Sequence, residues 1–283
     1  MYDLKQIIQK YQLNAKKSLG QNFILDGNLL NKIARLSLAG VAHHRVLEVG
    51  PGPGGLTKAL LEQGDFPITA IEKDDRCAMA LAELSADFPN RLTVLNEDAL
   101  QFDEASLGRD ICVVANLPYN VSTVLLVKWL KKIDLFSGLT LMFQKEVADR
   151  IKAVAGDPEY GRLSVLVGWL ADVTELMILP PAVFTPAPKV TSALVRITPK
   201  KTPETGFTFD TMSKLTSIAF AQRRKMLRGS LKGLGLSQTQ IEQMCAAGGV
   251  KSTLRAEQVS VASYCQMARW LQQEQNGRSD QLL

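Results

Sequence analysis

Asn116, Pro118 and Tyr119 are the residues whose types and spacing point most directly to chemistry. They follow the apolar run Ile111-Cys112-Val113-Val114-Ala115, which reads as a short buried strand. A proline just past a strand end stops the ladder and forces an extended or turned backbone. An amide and an aromatic ring thus stand at a strand's carboxyl end, where open α/β sheets take their ligands. The amide oxygen can accept a hydrogen bond from an amino group, and the ring can stack on a planar base.

A second constellation lies upstream. Glu48-x-Gly50-x-Gly52 follows the apparent strand Arg45–Gly50 and precedes a helical pattern, and with Gly55 it satisfies G-x-G-x-x-G. Glu72 comes 20 residues after Gly52, at the end of the next strand-like run, where an acid can accept both hydroxyls of a ribose. Alone, this suits a dinucleotide or S-adenosylmethionine. Three features favour the latter. Glu48 precedes the glycines, Pro51 and Pro53 stiffen a loop that would otherwise wrap a pyrophosphate, and Asp98 is placed to accept from an adenine amine.

The elements that must position these residues alternate regularly. Strands are predicted at 45–50, 68–72, 92–95, 111–115 and 139–143, with helices at 55–63, 75–84 and 121–130 between them. That alternation means βαβ units and a parallel sheet covered on both faces. Helical patterns also run through Leu4–Tyr11 and Leu29–Leu36. After Lys145 come a helix to Ala153, the loop 156–161, a helix over 163–170, and strands at 173–179 and 190–197. Pro180, Pro181, Pro186 and Pro188 stiffen the connection, and a hairpin-like return makes the last strand antiparallel to its neighbour. A Pro/Thr/Lys-rich linker at 199–206 marks a boundary near residue 200. The expected domains are 1–200 and 201–283, the second all-helical. Its helices are predicted over Phe209 to about Leu231, from a capping box at Ser237-x-x-Gln240 to Ala246, and over Ala256–Gln273.

Composition narrows the function classes. At 46% hydrophobic and 22% charged residues, the chain has a globular composition. No apolar run approaches a membrane span, and the polar N-terminus argues against a signal peptide. The four cysteines are widely spaced, with no CxxC pair and no clustered histidines, so neither a metal site nor a disulfide framework is expected. The net charge of +5 lies wholly in residues 201–283, which hold 11 Lys+Arg against 6 Asp+Glu. An anionic polymer is the partner this suggests.

Taken together, these motifs resemble the KsgA/RsmA family of S-adenosylmethionine-dependent ribosomal RNA adenine dimethyltransferases, relatives of the Erm enzymes. The resemblance spans nearly the whole chain. Lys17–Ile24 is similar to the family's N-terminal motif, Glu48–Gly52 to its glycine loop, and Asn116–Thr123 to its catalytic stretch. Tyr160–Val165, Phe184–Val190 and Ala219–Lys225 match three later motifs. Leu117 stands where Erm relatives more often carry Ile, which leans towards KsgA.

The resemblance implies a Rossmann-like seven-stranded methyltransferase sheet, mostly parallel with the last strand antiparallel, and a small all-α C-terminal domain. It implies S-adenosylmethionine as methyl donor and no metal. Cofactor-binding residues would be Asn22, Ile24, Glu48, Gly50, Gly52, Glu72, Asp98, Ala99 and Asn116. In the implied chemistry the Asn116 amide oxygen and the Pro118 carbonyl accept the two hydrogens of an adenine amine. Tyr119 and Phe184 stack on the two faces of the flipped base. RNA would meet Lys16, Lys17, Arg162, Lys189, Arg223, Arg224, Lys225 and Arg228. The expected substrate is two adjacent adenosines in a loop near the 3′ end of 16S rRNA in the small ribosomal subunit, dimethylated at N6. A role in ribosome biogenesis, a monomeric state and a cytoplasmic location go with it. The alternatives are an Erm-like 23S rRNA methyltransferase and a non-catalytic assembly factor on the same fold.

Overall fold

A computed structural model describes residues 2–13, 21–42 and 44–280. The chain forms two compact units, one of residues 1–148 with 174–199, the other of 149–173 with 200–283. The predicted single cut at 200 is therefore corrected. The chain crosses between units three times, because the helix over 163–170 packs with the C-terminal helices.

The first unit holds the sheet. Its strands are β1 (Phe23–Ile24), β2 (Arg45–Val49), β3 (Ile68–Ile71), β4 (Leu92–Leu95), β5 (Ile111–Ala115), β6 (Phe136–Gln144), β7 (Ala171–Leu179, shared at its start with the second unit), β8 (Phe184–Thr185) and β9 (Ser192–Pro199). Seven of them form one sheet in the order β4-β3-β2-β5-β6-β9-β7. β2, β3, β4, β5 and β6 run parallel, and β9 is antiparallel to β6, as expected. β5 is buried at all five positions, which is why it reads as an unbroken apolar run rather than an alternation. The chain reverses its direction of winding at β2, between β3 and β5. The carboxyl ends of β2 and β5 thus flank the crevice of a doubly wound sheet.

The helices of this unit are α1 (Leu4–Lys10), α2 (Gly27–Leu38), α3 (Gly55–Leu61), α4 (Asp75–Asp87) and α5 (Tyr119–Leu130), with α6 (Lys145–Lys152) beginning in it. Asp26 and Asp74 cap α2 and α4 through their carboxylates, satisfying N–H groups that a helix start leaves unpaired. α5 begins at Tyr119, two residues earlier than predicted, and this bears on the site. The two-residue ladder of β1 with β8 pairs Phe23 with Thr185 and Ile24 with Phe184. It was not foreseen, since a pair so short carries no periodicity.

The second unit contains α7 (Arg162–Leu170), α8 (Phe209–Phe220), α9 (Leu227–Ser230), α10 (Gln238–Ala247) and α11 (Val261–Asp280). The capping box at Ser237 and Gln240 forms as predicted. The single helix expected over 209–231 does not. α8 stops at Phe220, and the run Gln222-Arg223-Arg224-Lys225 makes a turn. Adjacent cations supply no apolar stripe to hold a helix there. Beyond it, Met226 makes an isolated antiparallel bridge with Arg255, and the first N–H groups of α9 donate outside the helix, Leu227 N to Leu254 O (2.7 Å) and Arg228 N to Ser252 O (2.9 Å). The last predicted helix likewise divides into a short 3-10 turn at Ala256–Gln258 and α11.

Candidate active site

One cavity of about 510 Å3 opens at the carboxyl ends of β2, β3, β4 and β5, within the first unit. All nine predicted cofactor-binding residues, Asn116 among them, line it, and so do Pro118 and Tyr119. The two constellations read separately from the sequence are one site. An ideal Cβ on Gly50 would lie 3.8 Å from the Leu117 side chain and 3.9 Å from the Asn116 carbonyl.

The glycine loop is held by carboxylates and close packing. Gly50 and Gly52 have φ of +69° and +56°, a region open to glycine at little cost. A Cβ on Gly52 would lie 2.9 Å from the Phe23 ring, so β1 packs directly on the loop. Glu72 accepts from Gly52 N (2.9 Å) through one oxygen and from Asp74 N (2.8 Å) through the other. Burial pushes its pKa up, against the pull of these backbone donors. Its remaining lone pairs can still serve a hydroxyl pair. The Tyr2 phenol donates to the Pro53 carbonyl on the far side of the loop.

Glu48 is 1% exposed, and its Oε2 has no hydrogen-bond partner among the described residues. Burial pushes its pKa up to about 8, against a lowering by the Thr57 hydroxyl and with a smaller push from Glu72. Asp98 behaves differently. Its Oδ2 meets Lys73 Nζ at 2.6 Å and its Oδ1 accepts from Leu100 N at 3.0 Å, and both hold its carboxyl below the usual range.

At the opposite wall, Asn116 Nδ2 donates to the Asn22 carbonyl (3.3 Å). The amide oxygen is left without a partner among the described residues. Tyr119 is half-buried, and its hydroxyl lies 2.7 Å from the buried Ser192 Oγ at the start of β9. Ser192 was not predicted, because nothing local in the sequence links it to a residue 73 positions away.

Two predicted catalytic residues are corrected. The Pro118 carbonyl accepts from Val121 N (3.1 Å) and Ser122 N (3.2 Å), so it points into the first turn of α5. The Leu117 carbonyl, beside it in the cavity lining, has no partner among the described residues. Phe184 does not line the cavity. It is 4% exposed and belongs to the core cluster under β1, one strand removed from the wall.

Of the predicted RNA contacts, Lys16 and Lys17 lie outside the described residues. In the first unit Lys189 is exposed. In the second, Arg224, Lys225 and Arg228 are exposed, and Arg162 donates to Ser213 Oγ (2.8 Å). Arg223 is committed to structure. It donates to the Pro158 and Tyr160 carbonyls (2.7 and 3.0 Å) and lies 3.7 Å from Glu257.

The lining suits S-adenosylmethionine. A buried unpartnered carboxylate oxygen needs a donor such as an amino-acid ammonium, the glycine cradle leaves room for a thioether chain, and Glu72 and Asp98 stand where a ribose and an adenine would lie.

The family described as "Ribosomal RNA adenine dimethylase" matches residues 12–273. The "Ribosomal RNA small subunit methyltransferase A" of Roseobacter denitrificans is 50% identical over 270 residues, covering 94% of this chain and 95% of its own. That of Rhodospirillum rubrum is 47% identical over 267 residues, covering 94% and 91%. A dimethyladenosine transferase from Plasmodium falciparum has a crystal structure 26% identical to this chain with a TM-score of 0.70, covering 87% and 95%. With the predicted cofactor set gathered in one cavity and the match running almost end to end, the chain belongs to the ribosomal RNA adenine dimethylase family.

Proposed function

We propose that this protein transfers methyl groups from S-adenosylmethionine to the exocyclic N6 of adenines in small-subunit ribosomal RNA. The observation that carries the reading is the shared cavity, in which the Asn116 amide, turned by its bond to Asn22, stands beside the glycine loop. The donor, when bound, supplies a methyl on a positively charged sulfur, already electrophilic without a metal.

The chain's own residues must prepare the amine, whose lone pair is delocalised into the purine ring. The Asn116 amide oxygen accepts one amine hydrogen. The Leu117 carbonyl, unlike that of Pro118, is available for the other. Two acceptors on one nitrogen draw it towards tetrahedral geometry and aim its lone pair, an orienting effect worth several kcal/mol. The Tyr119 ring, fixed at its hydroxyl by Ser192, stacks on the extruded base. Arg224, Lys225 and Arg228 contact phosphates without reading sequence.

The finer substrate is two adjacent adenosines near the 3′ end of 16S rRNA, each taken to N6,N6-dimethyladenosine, with a part in ribosome biogenesis. The relatives' small-subunit names favour this over an Erm-like action on the large subunit. A cytoplasmic monomer is the form we propose for this reaction; separately, no helix among the described residues is long and apolar enough to cross a membrane. The test offers labelled donor with unmodified small and large subunits. Label on an adenine of the small subunit is expected, and label on neither subunit or only on the large one overturns the reading.

A further inference from the structure

We infer that Lys128, with Glu104 behind it, is a positioning residue that sets how the site recognises the adenine of the methyl donor. The inference rests on the function proposed above and goes beyond it. Lys128 lies on the third turn of α5, well away from the Asn116–Tyr119 tip. Its ammonium donates to the Ala99 carbonyl (2.7 Å), to the Phe102 carbonyl, and to Glu104 Oε1 (2.7 Å). An ammonium has three donors, and here each has an acceptor.

Two of those acceptors belong to the loop after β4, which carries Asp98 and Ala99 into the cavity. The third, Glu104, is 2% exposed and also accepts from Trp129 Nε1 (2.8 Å), the residue after Lys128 on α5. The clamp is thus anchored twice on one helix. That helix also begins with Tyr119. One cation therefore ties the donor's adenine-facing loop to the element that presents the acceptor amine. The Asp98 carboxylate is held by Leu100 N and the exposed Lys73, and its backbone carbonyl accepts from Gln101 N (2.8 Å) and Phe102 N (3.1 Å), so a shift at Phe102 is passed on to Asp98. Without the ammonium, the Ala99 and Phe102 carbonyls would turn towards water and carry Asp98 out of register with the adenine edge.

An arginine cannot substitute fully. Its flat fork spreads donors in a plane, whereas these three acceptors converge on one point. Lys132 offers an internal control. It lies four residues on, just past the end of α5, and meets the same segment at Asp103 Oδ1 (2.6 Å), but at an exposed pair without a bond to residue 99.

The experiment measures binding of S-adenosylhomocysteine and of its inosine analogue, whose 6-oxo group cannot donate to Asp98. Calorimetry on the full chain, without RNA, is the readout. The wild type should prefer the adenine form by about tenfold or more, as loss of one well-placed hydrogen bond implies. Lys128→Met should reduce the preference to within about twofold, Lys128→Arg should give an intermediate value, and Lys132→Met should keep the wild-type ratio. Thermal melts confirm that each variant is folded, and Lys128→Arg carries the test if Lys128→Met is not. An unchanged ratio in a folded Lys128 variant overturns the inference alone. Failure of the wild type to bind S-adenosylhomocysteine overturns the functional reading instead.

Discussion

The Asn116 side-chain amide donates through Nδ2 to the backbone carbonyl of Asn22, 3.3 Å away and 94 residues earlier in the chain. This contact decides which end of the amide faces a substrate. The nitrogen end is taken by the protein, so the oxygen end is the one offered. It also makes the N-terminal stretch, through Asn22 and the β1 residue Phe23 on Gly52, a shared wall of donor and acceptor sites.

Tyr119 and Ser192 separate stacking from hydrogen bonding. Tyr119→Phe keeps the ring and loses only its anchor, and should lower methyl transfer by about tenfold or less. Tyr119→Ala removes the stacking surface, worth about 1–3 kcal/mol per base, and should cost about 10- to 100-fold. Ser192→Ala should match Tyr119→Phe, and the double variant should be no worse than either, since both remove the same 2.7 Å bond. Single-turnover rates on unmodified subunits check the series.

Gly52→Ala should weaken donor binding more than it weakens the fold. The residue has φ of +56°, and a Cβ there meets the Phe23 ring at 2.9 Å. Strain of about 1–3 kcal/mol is expected at such a position. Ring displacement would also open the wall that Phe23 closes. Calorimetric affinity for S-adenosylhomocysteine, measured beside the thermal midpoint, gives the comparison.

Glu48 should make stability fall as pH rises. Its folded pKa is pushed up to about 8, from an ordinary 4.5. Between those values the native state holds a proton that the unfolded chain has released, so unfolding is increasingly favoured as pH climbs through the window. The steepest slope for one group is about 1.4 kcal/mol per pH unit. The contribution is fully present below pH 4.5 and lost above 8. Glu48→Gln should flatten this part of the urea-stability profile, and an unchanged slope would assign it elsewhere.

Arg223 and its neighbour Arg224 should part company. Arg224→Glu, alone or with Lys225→Glu, should weaken RNA binding and reduce the salt dependence by about 0.7 to 0.9 per lost phosphate contact. Donor affinity should be untouched. Arg223→Ala should instead loosen the 158–160 loop, costing on the order of 1 kcal/mol of stability. Salt-titrated RNA binding and thermal melts distinguish the two.

Much of this site was legible because its parts are chemically loud. A glycine loop after an apolar strand, an acid at the next strand end and an amide with an aromatic past a fourth all sit at one end of a parallel sheet. Alternation alone brings those ends together. The misreadings have local causes. Placing the start of α5 at Val121 rather than Tyr119 made the Pro118 carbonyl look free, when it serves the first helical turn. Phe184 has the right type for stacking, but its burial depends on a β1–β8 pairing that no periodicity announces. The membership of residues 149–173 in the second unit is decided by packing between helices far apart in sequence. Arg223 could not be told from Arg224, because both are exposed cations on one turn and only one finds carbonyls.

The most direct measurement is single-turnover methyl transfer by Asn116→Ala to small subunits lacking the modification, with donor affinity determined on the same preparation. The account predicts a rate reduced by about 100- to 1000-fold, as for loss of one preorganised partner of the reacting atoms, with donor affinity changed by no more than a few-fold. Transfer at the wild-type rate would contradict it.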